Sequence, residues 1–131
     1  MNVTRRNPPR KFSVGKQSQI ILSDCASVVL EQDEQITFLT EKKGEFDVVR
    51  KDWGFYATPS LNGRLPSFSI KPLLVKNLDS SRFYILLIEK GKESIFEEYC
   101  RKENIFVIAE LDDQNDLSTI EVALNQKNDS K

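Results

Sequence analysis

A chain of 131 residues with 39% hydrophobic and 30% charged residues is long enough for one domain with a real core, burying about two-thirds of its unfolded surface. Its net charge of −1 gives no bulk argument for a nucleic-acid or membrane partner, and neither is expected. It contains no histidine, which excludes Ser-His-Asp and Cys-His catalysis, histidine-ligated metal centres and histidine acid–base work.

Residues 1–16 carry Arg5, Arg6, Arg10, Lys11 and Lys16, with no acid before Asp24. Asn7, Pro8 and Pro9 break regular structure, so a basic flexible arm is expected. A lesser reading makes it an electrostatic arm for phosphate or an acidic partner. No apolar segment follows these charges, and no apolar run reaches the roughly 20 residues of a bilayer span. A cytoplasmic location is the expectation.

Residues 17–124 are expected to form a single α+β domain. From 18 to 58 the pattern is β: an apolar run at 19–22, a turn at Ser23 and Asp24, a second run at 26–30 and a charged turn at 31–34. Residues 35–40 alternate and are rich in β-branched and aromatic side chains. Lys43 and Gly44 read as a hairpin turn returning into 45–50, a strand that can continue to Tyr56. Short connections of this kind require antiparallel pairing. The expected N-terminal half is thus an antiparallel meander or partly rolled sheet.

Further on, residues 70–75 read as a strand in which Pro72 needs an edge or a bulge. Residues 82–89 are nearly continuously apolar, the mark of a central strand covered on both faces. Residues 93–102 read as an amphipathic helix with Ile95, Phe96, Tyr99 and Cys100 on one stripe, basic residues at its end and Asn104 as a left-handed terminator. Residues 105–109 complete a β-α-β unit. A last short helix is expected with Asp116 as its cap and Leu117, Ile120 and Leu124 on one face, followed by a polar tail over 125–131.

Residues 51–68 concentrate the recognition chemistry. They hold the only tryptophan, Trp53, with Phe55, Tyr56, two prolines, the Asn62-Gly63 pair and Arg64. Ring faces offer apolar contact, while the indole N–H and the phenol orient a polar ligand. The plainer reading makes the three rings core anchors at a strand end. Alternation would put Trp53 and Phe55 on one side and Tyr56 on the other. Asn62-Gly63 is a turn signal through its tolerance of positive φ. The turn could nest an anion that Arg64 clamps. Trp53, Tyr56, Thr58, Asn62 and Arg64 are the candidate ligand-binding residues. Tyr56, Asp52 and Asp112 are weak catalytic candidates, Asp112 with Asp113 because the pair follows a buried strand. More commonly such a pair is a solvated turn. Cys25 and Cys100 are expected reduced, as small core or half-buried residues. No cofactor and no metal is expected.

The string DWGFYATPSLNGR from Asp52 to Arg64, followed by RFYILLIEKGKE from Arg82 to Glu93, is similar to a small family of uncharacterised bacterial proteins encoded near surface-carbohydrate biosynthesis genes. The likeness covers residues 18–113. It implies a sugar or nucleotide-sugar as ligand class and no catalytic residue. The leading expectation is an accessory binding protein of surface-carbohydrate metabolism. A second reading is a metal-independent isomerase or lyase acting on an activated sugar. A third is a structural or regulatory protein partner of a larger enzyme. Exposed strand edges leave a homodimer open.

Overall fold

A computed structural model describes residues 1–57 and 59–129, with side chains through residue 126. The described residues form eight strands and three helices, an α+β arrangement that is mostly β in its N-terminal half and ends in a β-α-β run. They divide into two compact units, Met1–Thr37 with Asp47–Ala57, and Phe38–Phe46 with Thr58–Lys131.

The first unit is dominated by a two-stranded antiparallel ribbon, β1 (Asn2–Val14) and β2 (Ile20–Val29). Where the sequence suggests a flexible arm, residues 2–14 are paired strand. Pro8 and Pro9 fall inside the register shift between Arg5 and Arg10, where no ladder N–H is demanded, so proline costs the ribbon little. Nor do Ser23 and Asp24 turn. Asp24 sits opposite Arg10, and its two carboxylate oxygens accept from Arg6 at 3.0 Å and Arg10 at 3.2 Å. The pairs Val3↔Val28, Phe12↔Leu22 and Val14↔Ile20 share one face of the ribbon, and Arg10 stacks over Phe12.

Strands β3 (Gln35–Leu39), β4 (Glu45–Lys51) and β5 (Gly54–Tyr56) follow in that spatial order. In the first unit, Thr37 donates to buried Asp47 at 2.7 Å, so this inward carboxylate has a partner, as burial requires. The β3–β4 turn belongs to the second unit. Lys43 takes positive φ there, and the Gly44 N–H is held by the Thr40 hydroxyl at 2.9 Å.

The second unit continues with a helical turn, α1 (Arg64–Ser67). It then builds a three-stranded sheet from β6 (Ile70–Asn77), β7 (Phe83–Glu89) and β8 (Ile105–Glu110), in the order β7-β6-β8. Helix α2 (Glu93–Glu103) links β7 to β8, and α3 (Gln114–Asp129) ends the described chain. Both outer strands run antiparallel to β6. The central strand is therefore β6, the proline-containing one, and β7 is an edge strand.

Pro72 is tolerated because of where its nitrogen points. Its carbonyl accepts from Leu111 N–H on the β8 side. A residue's N and C=O face the same way along a strand. The missing N–H therefore lies beyond the last β8 rung, Leu73↔Glu110, and pairing with β7 is intact. The core consists of Leu73, Val75 and Ile88, packed by Leu86, Phe96 and Ile105.

Helix α2 ends as its sequence suggests, with Asn104 left-handed. Its stripe differs from expectation: Ile95 and Tyr99 are exposed, while Phe96 and Cys100 are half-buried. The cap of α3 is Asp113, whose carboxylate accepts the Asp116 N–H at 3.0 Å. Asp116 instead reaches back to the Glu110 N–H at 2.7 Å. The helix runs on to Asp129, through residues expected as a tail.

Candidate functional site

In the first unit, β4 and β5 form a hairpin through the pairs Val49↔Tyr56, Arg50↔Phe55 and Lys51↔Gly54. Only Asp52 and Trp53 remain for the loop, so Trp53 sits at the tip rather than in a strand. Gly54 follows with φ +141, a conformation that side chains other than glycine's adopt only under strain. Alternation puts Phe55 and Arg50 on one hairpin face and Tyr56 and Val49 on the other.

The three rings are not core anchors. Trp53 is 68% exposed, Phe55 58% and Tyr56 50%. The Arg50 guanidinium lies over the Phe55 ring, 5.9 Å from its centroid, and also donates to the Lys51 carbonyl. Lys51 pairs with Asp33. The hairpin thus carries Trp53 at its tip, with Lys51 flanking the loop and Arg50 beside Phe55. Arg50 is a cation beside these rings that the sequence pattern did not single out. Its signal was the two-residue loop, which places it directly opposite Phe55.

The other candidates lie in the second unit, or outside the described residues in the case of Thr58. Asn62 and Arg64 are exposed. Gly63 has φ −128, and Asn62 is not left-handed either, so the turn does not use the positive-φ tolerance of the pair. Glycine is needed instead for close approach, because a Cβ at Gly63 would stand 2.7 Å from the Ser60 hydroxyl. That hydroxyl accepts the Arg64 N–H at 2.7 Å. The Ser60 carbonyl accepts from Gly63 and Leu65. The Gly63, Arg64 and Leu65 N–H groups are thus committed within the turn. The turn seats Leu65, fully buried in the core, and stacks Arg64 over Phe68 at 5.1 Å.

Asp52 is exposed in the hairpin loop of the first unit, and Tyr56 follows on β5. Asp112 belongs to the second unit, where Lys71 Nζ faces its Oδ1 at 3.5 Å and Glu110 at 3.1 Å. Oδ1 accepts no hydrogen bond among the described residues, so the Lys71 charge is its compensation. Burial pulls the Lys71 ammonium down, but the Glu110 hydrogen bond and the charges of Asp112 and Glu110 outweigh it and hold its pKa above the ordinary lysine value. Asp112 and Asp113 are thereby an ion-pair partner and a helix cap.

Both cysteines are free. Cys25 is exposed on the ribbon rather than buried, and Cys100 is half-buried. Burial and the Glu97 charge raise the Cys100 pKa, so its thiol stays protonated at neutral pH. Among the described residues no cluster of histidine, cysteine or carboxylate side chains could hold a metal ion. No described helix is long and apolar enough to cross a membrane. Comparison with protein-family models, curated proteins and solved structures finds no match to this chain.

Proposed function

We propose that this chain is an accessory small-molecule-binding protein that takes a sugar or nucleotide-sugar on the β4–β5 hairpin of its first unit. The observation that carries the reading is the exposure of Trp53, Phe55 and Tyr56 on a hairpin closed by a two-residue loop. Large apolar rings left in water lose the stabilisation of burial. Grouped exposed rings on a short, registered element are contact surface for a partner or ligand. Ring faces match the C–H faces of a sugar, and the indole N–H and phenol O–H give direction. Arg50, beside Phe55, supplies charge for a phosphate. The surface-carbohydrate setting comes from the resemblance of the Asp52–Arg64 string alone.

A thermal-shift screen against nucleotide-sugars, sugar phosphates and free sugars tests the reading. A ligand that binds only the folded state raises the melting temperature by mass action. The expected result is a shift with one ligand class that is lost in Trp53→Ala. Arg64→Ala tests the α1 turn separately, and its stack on Phe68 makes it the weaker contributor. No shift with any ligand overturns the proposal. The isomerase or lyase reading gains no observation from Asp112, which pairs with Lys71 in the second unit.

A further inference from the structure

Helix α2 lies over one face of the β7-β6-β8 sheet without closing on it. Its positions 93, 96, 97 and 100 repeat at helical spacing, and strand positions 71, 73, 88, 107 and 110 face them from the sheet. The groove between them has a volume of about 360 Å³, within the range of small-molecule sites. Its floor is apolar: Leu73, Ile88, Phe96 and Val107.

The rim is charged, and unevenly. Glu93, Glu97 and Glu110 oppose a single ammonium, that of Lys71. Lys71 is already held by Glu110 and Asp112. Glu93 is engaged by the Gly91 N–H. The Glu97 carboxylate makes no ion pair or hydrogen bond among the described residues. It acts only as a nearby negative charge on Cys100.

We propose that this groove is a binding site for a small organic cation, an amine carried on a flat apolar body. The body lies against Phe96 and Val107, and the ammonium meets Glu97. Three physical arguments select this class. An anion would enter against an excess of carboxylates. A neutral apolar molecule would fill the floor but leave the carboxylate excess at the rim uncompensated. A cation restores the charge balance and also gains from the face of the Phe96 ring. The groove belongs to the second unit and does not depend on the function proposed for the hairpin.

Three indoles isolate the charge: tryptamine, the neutral alcohol tryptophol and the anion indole-3-acetate. Calorimetric titration of the full chain is expected to rank tryptamine first, about tenfold tighter than tryptophol, with indole-3-acetate weakest. Glu97→Gln, at an exposed position, keeps the fold and is expected to erase the preference for the amine. The two thiols give an independent footprint, since Cys100 lines the groove and Cys25 lies on the ribbon. With iodoacetamide at about pH 9, where thiolate forms, tryptamine is expected to slow alkylation of Cys100 and leave Cys25 unchanged. Equal affinity for the three indoles overturns the proposal. So does unchanged Cys100 alkylation at about 10 mM tryptamine, a ceiling weaker than specific small-ligand affinities.

Discussion

The two units differ in where their apolar side chains go. Leu65, Ile70, Leu73, Val75, Ile88, Ala109 and Leu111 are buried, and all belong to the second unit. Among the described residues of the first unit only Asp47 is buried. That unit instead exposes Val3, Phe12, Leu22 and Val28 on one face of its ribbon and Trp53, Phe55 and Tyr56 on its hairpin. It is also basic at its start, with five cations against Asp24 over residues 1–29. A two-stranded ribbon is marginal by itself in water. The second unit has the anatomy of a scaffold, and the first leaves its apolar side chains in water. Buried apolar side chains thus gather in the second unit, and the first carries the exposed ribbon and hairpin rings.

Substitutions sharpen that contrast, and the largest effect is expected in the core. Leu73→Ala should cost about 2–5 kcal/mol in urea unfolding. Ile21→Ala, on the exposed ribbon, should change it by less than about 0.5 kcal/mol. Similar losses at the two positions would break the distinction. Next is Gly54→Ala, which forces a side chain into φ +141 and should cost about 1–3 kcal/mol, read by the same unfolding curves. Asp113→Ala removes the α3 cap and should lower stability by about 1 kcal/mol, with loss of helical signal by circular dichroism.

Lys71→Met removes the ion pairs to Glu110 and Asp112, leaves the buried Asp112 Oδ1 uncompensated, and should cost about 1 kcal/mol at neutral pH. The folded-state pKa of Lys71 is raised, so its contribution is complete below the ordinary lysine value of about 10.5 and fades as pH rises through the folded value. Unfolding midpoints followed into the alkaline range should fall more steeply in the native chain than in Lys71→Met. Parallel slopes would remove this pair from the account. Smallest of all, Trp53→Ala should leave the melting temperature almost unchanged, because the ring is mostly in water.

Much of the second unit was legible because local rules govern it. The α2 boundaries follow from Glu93 in the first turn, Arg101 and Lys102 in the last, and Asn104 at the end. The β3–β4 turn follows from Lys43 and Gly44. Strand order was not legible, because it depends on long-range pairing. Apolar continuity in β7 resembles that of a central strand, and Pro72 resembles an edge residue. Only the position of Leu111 beyond the last β8 rung shows how a proline fits in the middle strand. The ribbon was hidden for a similar reason, since Pro8 and Pro9 interrupt one strand's pattern while β2 closes the ladder on both sides of them.

The candidate site was legible as composition rather than as geometry. The sequence marks residues 51–68 as rich in recognition chemistry, but burial is a tertiary property. Aromatic residues in a strand pattern serve as core anchors as often as contacts. Exposure of Trp53, Phe55 and Tyr56 separates those readings, and three N–H groups of the α1 turn are spent on Ser60.

The most direct measurement uses Trp53 itself, the only tryptophan in the chain, so that its fluorescence reports on one place. Titration with nucleotide-sugars, sugar phosphates and free sugars should give a saturable change in emission with one class, absent in Trp53→Ala. Emission that stays constant across all three classes, or a ligand whose calorimetric binding leaves Trp53 unaffected, would contradict the hairpin as the binding surface.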